Sequence, residues 1–173
     1  PFDIVVDVLN SVAQDPQSRD RIAQASLFSH GESAWVSESA WHAGHRGIHV
    51  AREATTGGSP RTDLVVAGAA VEFKSTFGVW AFDARANSER ERWLGPDVEK
   101  LRKCSVPALM VITVAALGGA TYHQRPRYKV DWDLKLPSVG DLTPIQILET
   151  GVIAAERFLA PRCVAVDRVS FEL

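Results

Sequence analysis

The sequence predicts a single α/β domain over residues 1–173. Three observations carry that prediction: an apolar stripe at helical spacing opens the chain, two short apolar runs flank Ala67-Gly68 like the arms of a hairpin, and a helical segment then leads into a long apolar run over residues 107–114. With 173 residues, 46% hydrophobic and 23% charged, the chain is long enough for one well-filled core.

The elements follow in order. Phe2, Val5, Val8, Leu9 and Val12 recur at helical spacing, so a first amphipathic helix ends near Asp15-Pro16. A short second helix runs through Arg21-Ile22-Ala23-Gln24-Ala25, and a third covers residues 32–42, carrying Trp35, Val36, Ala40 and Trp41 until Gly44 and Gly47 stop it. Ile48-His49-Val50-Ala51-Arg52-Glu53 reads as a first strand, and Thr56-Gly57-Gly58-Ser59-Pro60 as the loop after it. The hairpin spans residues 61–74. A helix over 96–103 has Pro96 at its first position, where a missing N–H costs nothing. The fourth strand, from Pro107, ends at Gly118-Gly119. Residues 128–136 alternate strictly between apolar and charged side chains, the pattern of a half-buried strand. Thr143-Pro144-Ile145-Gln146 has the form of a capping box opening a helix to about Phe158, with Ile145, Leu148, Val152, Ala155 and Leu159 as its buried stripe. Cys163 to Val169 gives a last strand.

The chemistry concentrates in the hairpin. If Ala67-Gly68 is the loop, Val66 pairs with Ala69, and counting outward sets Asp63 opposite Glu72. Cross-strand partners have Cβ atoms about 4.5–5.5 Å apart, and like charges so placed repel. Strand periodicity puts Lys74 on the same face as Glu72, with Val71 and Phe73 on the other. Two facing carboxylates beside an ammonium suit a hard divalent cation that prefers oxygen ligands, Mg²⁺ or Mn²⁺.

An Asp, a short hairpin and then Glu-x-Lys resembles the signature of the PD-(D/E)XK nuclease superfamily, the restriction-endonuclease-like fold. Gly95-Pro96-Asp97-Val98-Glu99-Lys100-Leu101 resembles the helix that follows the Lys-bearing strand in many members, and Pro107-Ala108-Leu109-Met110-Val111-Ile112-Thr113-Val114 resembles the next buried strand. The likeness covers residues 30–117. Thr62, not Pro, precedes Asp63, and Pro60 stands three residues upstream of it. The resemblance implies an αβββαβ core, a mixed sheet flanked by helices, here with extra N- and C-terminal helices. It also implies a metal held by Asp63, Glu72 and the Phe73 backbone carbonyl, and a Lys74 that orients the attacking water and stabilises charge in the transition state. Sites of this type take one more acid from the helix before the first strand. Glu38 is the first choice, Glu32 the second and Glu53 the third.

The same triplet form recurs in Asp133-Leu134-Lys135, where the alternating strand of residues 128–136 explains it as a solvated face. Lys135 is therefore an internal control for Lys74. His42, His45 and His49 are a poor zinc set, because Gly44 and Gly47 interrupt the helix that would align them and no Cys lies near. No Gly-rich phosphate loop with a Lys and no Gly-x-Ser-x-Gly elbow is present in the sequence. Two basic clusters remain as candidate phosphate contacts. One is Arg85, Arg90 and Arg92, diluted by Glu89 and Glu91. The better one is His123, Gln124, Arg125, Arg127, Tyr128 and Lys129, which combines Arg and aromatic groups.

Net charge −2 and a pI near 6.2 exclude a whole-protein basic field, so any nucleic-acid contact must be local. No apolar run is long enough to span a membrane, and no charged-then-apolar leader opens the sequence. Pro1 follows a removed initiator Met or marks the cut edge of a larger protein, and both readings stay open. Cys104 and Cys163 are isolated, for which a reduced cytoplasmic setting is the simpler reading. The expected activity is Mg²⁺-dependent hydrolysis of phosphodiester bonds, in DNA first, with no membrane partner. A homodimer is one open arrangement. A ribonuclease of the same fold and a non-catalytic binding module are the alternatives.

Overall fold

The structure, a computed structural model, describes residues 1–27, 30–55, 60–77, 87–117, 134–136, 140–142, 144–149 and 163–172. Three helices come first: α1 (Phe2–Gln14), α2 (Pro16–Leu27) and α3 (Gly31–His45). Asp15 separates α1 from α2 and caps the latter. Its Oδ2 accepts the Ser18 backbone N–H at 2.9 Å, and Pro16 fills the first helical position. Helix α3 runs through Gly44 and is closed by Gly47, at φ +68°. There the Ile48 N–H reaches the Ala43 carbonyl and the Gly47 N–H reaches that of Gly44. That pair of bonds is a Schellman closure, and it needs the left-handed residue that glycine supplies.

The sheet begins with β1 (Val50–Ala54), β2 (Thr62–Val66) and β3 (Ala69–Phe77), all antiparallel. After α4 (Asn87–Arg102), β4 (Ala108–Leu117) lies parallel to β3. The result is an α/β architecture, a mixed sheet flanked by helices. Strands β7 (Pro144–Glu149) and β8 (Cys163–Glu172) extend it in the order β1-β2-β3-β4-β8-β7, while β5 (Leu134–Leu136) and β6 (Gly140–Leu142) pair separately.

Side-chain alternation on β3 assigns the two faces. Ala69, Val71 and Phe73 join one buried cluster with Val5, Leu9 and Val12 of α1, Ile22 of α2, and Trp35, Val36 and Ala43 of α3. The even positions Glu72 and Lys74 meet α4 instead, whose Leu94, Val98 and Leu101 are buried. Covered on both faces, β3 and β4 are buried without a break over residues 69–73 and 108–112. This is how parallel neighbours in the middle of a sheet read in sequence.

Three expectations need correction. Residues 144–149 form strand β7, not the start of a helix, and pair with β8 from Pro144↔Phe171 to Glu149↔Asp167. The capping-box reading fails because ladder bonds to β8 outcompete a local cap, and Pro144 sits at the strand's first residue, where it is tolerated. The rest of that segment, residues 150–162, lies outside the described residues. Helix α4 begins at Asn87 and carries Pro96 inside it, not at its first position. The helix-forming run Ser88-Glu89-Arg90-Glu91-Arg92-Trp93-Leu94 extends it backward. Strand β1 begins at Val50, two residues after Ile48, because Ile48 is spent closing α3. Among the described residues no helix is long and apolar enough to cross a membrane.

Candidate active site

The hairpin turn is the expected one. Ala67 and Gly68 take φ +47° and +81°, the two left-handed positions of a type I′ turn. The register is Val66↔Ala69, Val65↔Ala70, Leu64↔Val71, so the next positions outward are Asp63 and Glu72. There the ladder gives way to side-chain bonds. Asp63 Oδ2 accepts the Phe73 backbone N–H at 2.8 Å, and the Asp63 backbone N–H approaches Glu72 Oε2 at 3.4 Å. The two carboxylates therefore lie together at the open end of the hairpin.

Glu72 stands in an otherwise apolar buried stretch and is only 3% exposed. A carboxylate there is costly unless paired. Its partner comes from α4. Lys100 Nζ lies 2.5 Å from Glu72 Oε1 and 3.3 Å from Asp97 Oδ1, while Lys74 Nζ lies 2.8 Å from Asp97 Oδ2. Thr113 on β4 donates to the Lys74 carbonyl at 3.2 Å, fixing the backbone at that point.

These contacts shift the pKa values of the site. Burial raises the Glu72 carboxyl above its ordinary value, and the Lys100 hydrogen bond only partly offsets this. For Lys74, burial works against the ammonium, but the bond to Asp97 and the fields of Glu32 and Glu72 outweigh it, and the net shift is upward. Lys100 behaves alike, with Glu72 outweighing burial. Asp97 ends below its ordinary value because both lysines outweigh its own desolvation.

Of the three further acids expected, the second choice is the one that reaches this cluster. Glu32, in the first turn of α3, accepts a hydrogen bond from the Ser75 backbone N–H and feels Lys74, Asp63 and Asp97. Burial raises its carboxyl, Lys74 pulls it back, and Asp63 and Asp97 push it up again. Gly31 lets the helix end come this close: a Cβ there would stand 2.6 Å from Ser26 Oγ and 2.8 Å from Ser75 Oγ.

Glu38, the first choice, is held elsewhere. Its carboxylate takes Arg21 in a fork, Nε to Oε1 at 2.6 Å and one terminal nitrogen to Oε2 at 2.8 Å, and accepts the Ser18 hydroxyl at 2.7 Å. It is a bridge between α2 and α3. Six residues apart on α3, Glu32 and Glu38 are separated by about 9 Å along the axis and by about 120° around it, so only the N-terminal one overlies the hairpin's open end. Glu53, the third choice, pairs with Arg61 and is exposed.

His42 Nε2 lies 3.0 Å from Ser18 Oγ, and His45 stacks on Trp41 with ring centroids 3.9 Å apart. Arg125, Arg127 and Lys129 lie outside the described residues, as do His123, Gln124, Tyr128 and Arg85. In the sequence, Asp97 and Lys100 stand only as members of a helix. The signal that marks them is their phase. Each immediately precedes an apolar residue that α4 buries against the sheet, Val98 and Leu101, so both side chains sit at the inner edge of that face.

The cluster thus gathers four carboxylates, Glu32, Asp63, Glu72 and Asp97, around two ammonium groups, Lys74 and Lys100. Two of the four, Glu32 and Glu72, are shifted towards the neutral form. An excess of half-buried oxygen donors, with charge still to be neutralised, fits a hard divalent cation. Among the described residues, no three His, Cys, Asp or Glu side chains are already arranged as a metal cage. Among the described residues, Asp63, Glu72 and the Phe73 backbone carbonyl could hold such an ion. Comparison with protein-family models, with curated proteins and with solved structures gives no match.

Proposed function

We propose that this chain is a divalent-metal-dependent endonuclease of the PD-(D/E)XK type that hydrolyses phosphodiester bonds, with DNA as the first substrate. The element order supports this reading: α3, the antiparallel strands β1, β2 and β3, then α4 and a β4 parallel to β3 follow the αβββαβ plan. The observation that carries it is the meeting of Asp63, Glu72 and Lys74 at the open end of one hairpin.

The chain's own groups divide the work. Asp63 and Glu72, with the Phe73 carbonyl, would hold Mg²⁺ or Mn²⁺, and Glu32, in place of Glu38, would complete the shell through water. When bound, the ion supplies polarisation of the phosphate and neutralises charge that develops on it. Lys74 stays an ammonium at neutral pH, since its pKa is raised, so it serves as a hydrogen-bond donor and not as a base. It would orient the attacking water and donate to a phosphate oxygen. Asp97 holds that ammonium in place.

One observation favours a second reading, a non-catalytic binding module. The pairs Lys74–Asp97 and Lys100–Glu72 already give two of the four carboxylates, one of them the buried Glu72, an ammonium partner. Incubation with supercoiled plasmid, single-stranded DNA and RNA, with and without Mg²⁺ or Mn²⁺, tests the proposal. Metal-dependent nicking of plasmid is the expected result. Cleavage of RNA alone transfers the same site to a ribonuclease, and no cleavage of any substrate favours the module.

A further inference from the structure

Lys100, like its neighbour Asp97, belongs to this cluster without being part of the hairpin signature. Its ammonium lies 2.5 Å from Glu72 Oε1, on the buried carboxylate proposed as a metal ligand, and 3.3 Å from Asp97 Oδ1. Lys74 is not a competitor for Glu72, because Asp97 Oδ2 holds it. The two lysines are thus sorted, one to each carboxylate, with Asp97 shared between them.

We infer that Lys100 is a tethered cation that a divalent ion displaces from Glu72, so that this one side chain sets the metal affinity of the site. The inference rests on the metal-dependent reading above. A Mg²⁺ ion binds carboxylate oxygen at about 2.0–2.1 Å. At such a distance from Glu72 it would face the Lys100 ammonium across the same carboxylate, and like charges that close repel strongly in a half-buried setting. Binding is then an exchange of one cation for another. Asp97 keeps the exchange from stranding Lys100, since its Oδ1 remains a partner after Glu72 is given up. The α4 helix therefore fills the acidic site when metal is scarce and yields it when metal is abundant.

The test is calorimetric titration with Ca²⁺ at pH 8, without nucleic acid, on the unmodified protein and on Lys100→Met, which keeps the chain length and removes the charge. A charge-assisted bond of this kind competes with roughly ten- to hundredfold of binding affinity, so the variant is expected to bind Ca²⁺ tighter by about that factor. Lys103→Met, at an exposed position beyond the end of α4, is expected to match the unmodified protein. Equal or weaker binding by folded Lys100→Met overturns the inference while leaving the metal site standing. No Ca²⁺ binding by any of the three proteins overturns the metal-dependent reading, and the inference with it. A second measurement needs no variant: the acetylation rate of Lys100 in the unmodified protein, read by mass spectrometry, is expected to rise severalfold under saturating Ca²⁺. A rate that stays constant relative to Lys103 overturns the inference.

Discussion

The Lys74 ammonium lies 2.8 Å from Asp97 Oδ2, so the lysine of the hairpin is held by the helix behind it and not by either hairpin carboxylate. Asp97 is therefore a positioning residue in the proposed reaction. Asp97→Asn keeps the shape and one acceptor oxygen but loses the charge. It is expected to lower kcat about ten- to hundredfold with KM for DNA little changed, since loosening a group that acts in the transition state affects turnover. Loss confined to KM would assign Asp97 to substrate binding.

Glu32 and Glu38 separate catalysis from stability. Glu32→Gln is expected to abolish or strongly reduce cleavage and leave melting within a few degrees of the unmodified protein. Glu38→Gln is expected to keep cleavage and to destabilise by roughly 1 kcal/mol, a charge-assisted fork discounted because the Arg21 side chain is half exposed. The acid limb adds a sign. The Arg21 and Ser18 bonds hold the Glu38 pKa below its ordinary 4.5. Its stabilisation is complete above that value and is lost as pH falls through the lower, folded-state pKa. The stability gap between the unmodified protein and Glu38→Gln should therefore close as pH falls below 4.5 and through the lowered folded-state pKa. Glu72 and Glu32 have the opposite sign, because their raised pKa values favour the folded state on the acid side and cost stability as pH rises above 4.5. A gap that widened on acidification would contradict the ion-pair role of Glu38.

Gly31 gives the site its close contact with α3. A methyl group there would press on the hydroxyls of Ser26 and Ser75. Gly31→Ala is expected to cost about 1 kcal/mol or more through overpacking, partly offset by helix propensity, and to reduce cleavage more than tenfold by moving Glu32. Full activity in this variant would show that the Glu32 position is unimportant.

Much of this was legible in the sequence, and the reasons differ by element. The hairpin register was, because a two-residue loop leaves one way to pair Val66 with Ala69, and everything outward follows. The buried parallel strand was legible from an uninterrupted apolar run. The identity of the helix acid was not: Glu32 and Glu38 both lie on α3, and which of them meets the hairpin depends on how that helix docks on the sheet. The roles of Asp97 and Lys100 were hidden because charges on a helix usually mark its solvated face, and the docking of α4 on the sheet is a tertiary fact. The helix expected over 143–158 failed where strand pairing overrode a local capping pattern.

Metal binding should be visible in melting alone. A cation that binds the folded site and not the unfolded chain stabilises by about 2.7 kcal/mol at a hundredfold excess over its Kd. Mg²⁺, Mn²⁺ or Ca²⁺ is expected to raise the melting temperature of the unmodified protein. Asp63→Asn is expected to lose that response while still accepting the Phe73 N–H through its amide oxygen. A metal response that survives in Asp63→Asn would move the ion away from the hairpin.

Cleavage of supercoiled plasmid with Mg²⁺ by folded Lys74→Ala, beside the unmodified protein and Lys135→Ala, measures the proposed role of Lys74 directly. Lys74 sits on the hairpin among the site carboxylates, whereas Lys135 lies on the separate β5–β6 pair, opposite Asp141. No cleavage by Lys74→Ala, with unmodified rates for Lys135→Ala, is the predicted result. Undiminished cleavage by folded Lys74→Ala would remove Lys74 from the reaction and overturn the proposed site.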